Sequence, residues 1–243
     1  MCLLYGRGAT AIWCDTGAEH KELYERIDYV ENMLMAYHEG EFKLLRLRAN
    51  VTVGKGKVDS LTDYIYQRKY MPSAQARFCT RLFKIEPIDR FLAAQGDCEL
   101  MIGLNYDEAE QRTGNHGLQP NVRYTYPLVD SEMNREDCKD VLEHYGLLPD
   151  FQPYMARGGC KYCFFKSKKE YAAMVHLDPE TMEEIQRLEE HIQDNRNKYF
   201  RIKSNMPRLR DFIATERANL IGDLSEFYTD DSERKSCGVF CHR

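Results

Sequence analysis

The sequence predicts an α/β fold built on a parallel sheet, followed by a helical, cysteine-bearing C-terminal region. Three observations carry that expectation. Short β-branched and aromatic runs alternate with helical stretches as far as Pro153, the first run ends in Asp15-Thr16-Gly17 just before a charged helical pattern, and beyond Pro153 a glycine-cysteine turn leads into polar helices.

Residues 9–14 read as a buried strand, and Glu19 to about Tyr37 as a helix with Leu23, Ile27, Val30 and Leu34 on its apolar face. "FKLLRLRA" at 42–49 is the next strand. Gly54 and Gly56 interrupt the pattern over 50–76, which reads as a surface excursion near the site with a short helix around 59–68. A helix is expected from Lys84 to Gln95, strands at 98–104 and 122–129, and a helix over 134–145 that stops at Gly146. Strands separated by helices suggest β-α-β units, whose ligands bind beyond the carboxyl ends of the strands, where Asp15-Thr16-Gly17 and Gly103 would lie. Asp178-Pro179 opens a polar helix to about Asn195, and an acidic tail from 223 ends in "SCGVFCHR". The chain thus divides into a nucleotide-binding-type α/β domain at 1–153 and a cysteine-containing helical region at 154–243.

With 43% hydrophobic and 30% charged residues among 243 and a formal charge of −5, the composition argues against a broad electrostatic coat for nucleic acid. No stretch approaches the roughly 20 apolar residues that cross a bilayer, and "MCLLY" is too short for a signal-peptide core, so a cytoplasmic location is expected. Nine cysteines cannot pair completely into disulfides. In a reducing compartment they point to metal ligation, catalysis or burial.

Asp15-Thr16-Gly17 could be half of an aspartic-protease dyad, with "MIGLN" at 101–105 echoing a second element. Those enzymes are almost wholly β, whereas a long helical pattern follows this Asp directly, so the fold class argues against it. The remaining readings are a nucleotide-contacting turn or a capped β-to-α turn with no ligand. Cys160 and Cys163 form a CxxC after two glycines, a spacing that lets two thiolates face one metal and that also suits a redox or incidental pair. Cys79 lies among Arg77, Arg81 and Lys84, cations expected to favour its thiolate. With Arg112 these cations would form an anion site, or else a solvated helix start. Tyr162, Phe164 and Phe165 with Lys166, Lys168 and Lys169 could stack on and neutralise a nucleic-acid strand, or dock an aromatic face onto the core. Cys2, Cys14, Cys98 and Cys138 read as core filler.

Taken in order, "AIWCDTGAEHKELYERI", "RFCTRLFKIEPIDRFL", "IGLNYDEAEQR", "YPLVDSEMNREDCKDVLEHYGL" and "GGCKYC" resemble the phosphoadenylyl-sulfate and adenylyl-sulfate reductase family, in the PP-loop or adenine nucleotide α-hydrolase-like superfamily. The resemblance implies a parallel sheet that binds an adenine nucleotide, ATP or an adenylylated sulfate, with Asp15, Thr16 and Gly17 on the adenosine side. It implies a [4Fe–4S] cluster held by Cys79, Cys160 and Cys163 with Cys241 or Cys237 as fourth ligand; Phe78 stands where relatives carry another cysteine, and zinc is the alternative occupant, since tetrahedral sulfur ligation suits either metal. "SCGVFCHR" is similar to the family's C-terminal nucleophile motif, which would make Cys237 the attacking thiol. The family's glycine-rich phosphate loop would precede the strand at 9–14 by about one helix, and "MCLLYGRG" reads as the end of that helix. Asn105 replaces an Arg of the substrate-gripping motif.

Two functions follow as expectations. One is an enzyme of reductive sulfur transfer or ATP-dependent thiolation, partnered by a sulfur donor or thioredoxin-like reductant, with a nucleic acid as one candidate substrate and no membrane. The other is a catalytically degenerate nucleotide- or partner-binding module with a structural metal.

Overall fold

A computed structural model describes residues 1–109, 119–156, 158–195, 200–219 and 227. It is a mixed α/β structure with parallel strand pairs. A single helical turn, α1 (Cys2–Tyr5), leads into β1 (Thr10–Asp15), then α2 (Lys21–Tyr37) and β2 (Lys43–Arg48). β1 and β2 run parallel with Thr10 opposite Lys43 and Asp15 opposite Arg48. A second parallel pair joins β5 (Cys98–Met101) to β6 (Val122–Thr125). Among the described residues the two pairs are not hydrogen-bonded to one another.

The stretch expected to be a surface excursion is more ordered than its glycines suggest. Gly54, at φ +59°, turns a short antiparallel hairpin of β3 (Val51–Val53) and β4 (Gly56–Val58). After it comes α3 (Leu61–Arg68), capped by the Ser60 side chain on Asp63 N. Leu61 and Ile65 lie in the core at 1% and 0% exposure, so this helix is structural.

The next helical run begins earlier than expected: α4 (Phe78–Thr80), a wide π turn at Arg81–Ile85, then α5 (Glu86–Ala93). The wide turn directly precedes Pro87, which has no N–H to return to the Phe83 carbonyl. The strand expected over 122–129 stops at Thr125, because Pro127 is pre-set for the first turn of α6 (Pro127–Asp130). α7 (Arg135–His144) starts at an Asn134/Asp137 capping box and ends before Gly146 at φ +64°. The C-terminal region supplies α8 (Lys168–Leu177), α9 (Pro179–Asn195) and α10 (Leu209–Ala218).

Ile88 and Leu92 of α5 pack against Cys14 of β1 and Val122 of β6, so this helix lies across both strand pairs. The largest apolar cluster joins Ala18, Leu61, Ile65 and Phe83 to Tyr154, Tyr171, Met182 and Leu209. The α/β part and the helical region on either side of Pro153 therefore share one core. No helix among the described residues is long and apolar enough to cross a membrane.

Candidate functional site: the turn after β1 and the paired cysteines

β1 ends where the chain must turn sharply. Gly17 takes φ +66°, and a Cβ there would come within 2.6 Å of the Ser60 Cβ, so both conformation and space demand glycine. Asp15 accepts hydrogen bonds from Gly17 N at 2.8 Å, the Tyr24 hydroxyl at 2.8 Å, and Arg48 Nε and Nη2 at 2.9 and 2.6 Å. Burial alone would push the Asp15 carboxyl up, but these donors outweigh it and hold the group below its ordinary value. Burial and the bond to Asp15 push the Tyr24 phenol up. Thr16 donates to Glu19 Oε1 at 2.8 Å, and its carbonyl accepts Leu61 N at 2.7 Å. Asp15, Thr16, Glu19 and His20 are all buried. The polar side chains of the turn are thus spent on fixing its shape, and its backbone is engaged as well: Gly17 N and O, Thr16 O and Ala18 O all hold hydrogen bonds, with Thr16 and Ala18 buried.

The turn then pairs with the cysteine turn 140 residues away in sequence, through an antiparallel bridge between Glu19 and Cys160. His20 N donates to Gly159 O at 2.6 Å and Lys161 N to Ala18 O at 2.9 Å. This approach is close enough that a Cβ on Gly159 would lie 2.1 Å from Leu23 Cδ2. Thr62 reaches both sides, donating to Gly17 O and sharing a 3.1 Å hydrogen bond with the Tyr162 hydroxyl.

Cys79, Cys160 and Cys163 occupy one electrostatic neighbourhood: Cys163 raises the pKa of the other two, and Lys84 lowers all three. Burial is the larger influence on each, so all three thiols are pushed up. This corrects the expectation that cations around Cys79 would favour its thiolate; desolvation costs more than Lys84 returns. Lys166 is fully buried, donates to the Tyr154 carbonyl, and has its pKa pulled down by burial. The buried Tyr171 hydroxyl, which senses Cys163 and Cys160, has no hydrogen-bond partner among the described residues.

Among the described residues no group of three His, Cys, Asp or Glu side chains is close enough to hold a metal ion. The donor chemistry nonetheless fits a soft metal or iron–sulfur cluster: three thiols in a dry setting, with cations to offset their negative charge. Cys237 and Cys241, the remaining expected ligand or nucleophile positions, lie outside the described residues.

Three of the four cations expected to form an anion site lie among the described residues. Arg77 lies over the Phe164 and Phe165 rings, Arg81 pairs with Glu86 at 3.7 Å on the surface, and Lys84 faces the cysteines; Arg112 lies outside the described residues. Of the residues expected to stack on and neutralise a nucleic acid, Tyr162 and Lys166 are buried at 1% and 0%, Phe164 and Phe165 are half-buried, and Lys168 and Lys169 are exposed. That segment docks onto the core, its Tyr162 donating to Glu184. Gly103 follows β5 at its carboxyl end, beside the Met1 side chain.

Sequence reading missed Arg48, Tyr24 and the set of buried His20 and Tyr154 with half-buried Asp178, in which His20 Nδ1 stands 3.5 Å from Asp178. Arg48 had a signal: it closes a six-residue strand that runs in register with the strand ending at Asp15. Comparison with protein-family models, curated proteins and solved structures finds no match for this chain.

Proposed function

We propose that this chain is an adenine-nucleotide protein of the phosphoadenylyl-sulfate reductase type, in which a thiolate-held metal group sits against the nucleotide turn. The single observation that supports it best is the Glu19–Cys160 bridge, which seats the two most chemically distinctive motifs of the sequence against each other. An adenine nucleotide would approach the carboxyl ends of β1 and β5, close to Gly17 and Gly103. Cys79, Cys160 and Cys163 would hold the metal group, with Cys241, or Cys237 in its place, as fourth ligand. A [4Fe–4S] cluster there would supply electron transfer or sulfur handling, and zinc would supply only a staple. If Cys237 is not a ligand, it is the natural nucleophile for a sulfur atom.

The reaction would be reductive sulfur transfer or ATP-dependent thiolation, with a reductant or sulfur donor as partner. One observation favours the second reading, a binding module with a structural metal: the Asp15 and Thr16 side chains are buried and already engaged. Iron, zinc and acid-labile sulfide on anaerobically purified protein, with titration calorimetry against ATP and adenylyl sulfate, separate the two. Iron and sulfide together with nucleotide binding support the enzyme. Zinc alone without nucleotide binding transfers the assignment to the module, and absence of both metals removes the cysteine ligands from the proposal.

A further inference from the structure

Among the described residues β1 and β5 each have one strand partner, β2 and β6 respectively, and between them lies a slot of about 610 Å³. Its walls are consecutive backbone positions, Thr10 to Ile12 on one side and Cys98 to Ile102 on the other. Side chains alternate faces along a strand, so a wall made of successive residues is a strand edge rather than a strand face. Ile88, Phe91 and Leu92 of α5 give the slot an apolar floor, and α5 packs against both strand pairs. Polar character comes from the carboxylates of Asp97, Glu99 and Glu108, and no Lys, Arg or His is among the described lining residues.

We infer that this slot receives an extended segment of another polypeptide, which inserts between β1 and β5 and joins the two pairs into one sheet. A small molecule can fill the volume, but only a peptide backbone offers N–H and C=O groups at the strand repeat to both edges at once. Four residues of β5 and six of β1 set the length of the inserted stretch at about four to six residues. The apolar floor requires β-branched or aliphatic side chains on one face, and the carboxylates favour lysine or arginine flanking the stretch. An exposed pair of strand edges over an apolar floor is otherwise an aggregation hazard.

The test uses the whole chain and a fluorescein-labelled peptide of five alternating valine and isoleucine residues between paired lysines. Its control carries proline at alternate positions, which removes the donors a strand needs. The expected result is saturable binding with slowed amide exchange at 10–13 and 98–101, at least tenfold weaker binding of the proline peptide, and a similar loss in the exposed double variant Asp97→Lys/Glu99→Lys. Exchange needs no variant, so it reads the slot even where that pair disturbs folding. Absence of binding, equal binding of the proline peptide, or binding without protection of both strands overturns the inference. So does protection that grows with protein concentration alone alongside dimer formation, which would assign the slot to a second copy, or protection by ATP but not by the peptide.

Discussion

At the scale of single residues, the turn after β1 is held by positions with no freedom to vary. Gly17→Ala places a Cβ in the left-handed region and against Ser60, and should cost about 1–3 kcal/mol in urea unfolding. Combining it with Ser60→Gly should recover the steric part only, because the backbone penalty persists. Asp15 makes a second case. Its carboxyl is held below the ordinary value of 3.8, so it binds protons less readily folded than unfolded. Its stabilising contribution is therefore complete above that value and is lost as pH falls through the lower, folded pKa. Asp15→Asn should cost about 1.5–3 kcal/mol at neutral pH through the weakened Arg48 bonds, and the loss of stability below pH 3.8 should become shallower than in the parent. An acid limb unchanged by the substitution would place the titrating group elsewhere. The Asp-Thr-Gly tripeptide was legible in sequence as a sharp turn after a strand, but its inward-facing role was not: which side of a turn a carboxylate faces depends on Arg48 and Tyr24, whose positions come from strand register and helix phase.

At the scale of elements, the informative contact is the one between the cysteine turn and the start of α2. Gly159 is the residue that allows it, since Leu23 occupies the space a side chain would need. Gly159→Ala should destabilise the chain by about 1–3 kcal/mol and lower its metal content, and Leu23→Ala in the same chain should restore part of both. Loss of stability without any change in metal content would separate the bridge from the ligand set. The strand and helix order was legible because period-two and period-3.6 patterns are local properties. The π turn at Arg81–Ile85 and the end of β6 at Thr125 were not, because both depend on how a proline, Pro87 or Pro127, is accommodated by its neighbours. The hairpin over 51–58 was obscured by two glycines, of which Gly54 makes the turn and Gly56 opens β4, whereas the short helix expected around 59–68 is α3.

At the scale of the whole molecule, the sequence suggested a boundary at Pro153, where composition changes, yet burial does not divide there. Met182, on α9, is fully buried in the same cluster as Leu61 and Ile65 of α3 and Ala18 of the turn. A composition shift reports what a segment exposes, whereas a core is defined by what it covers, and the helical region covers the carboxyl side of β1. The cysteines follow the same logic. Their thiols are raised by burial that the C-terminal helices provide, so the reactivity of Cys79, Cys160 and Cys163 should depend on packing far from them. Met182→Ala leaves a cavity next to these helices and should cost about 2–5 kcal/mol. If the chain is one cooperative unit, the substitution should speed amide exchange at 61–65 as much as in α9 itself, and metal-free protein should react faster with a thiol reagent at pH 8. Faster exchange confined to 168–218, with thiol reactivity unchanged, would show instead that the helical region opens by itself and that the cysteine turn belongs energetically to the α/β part.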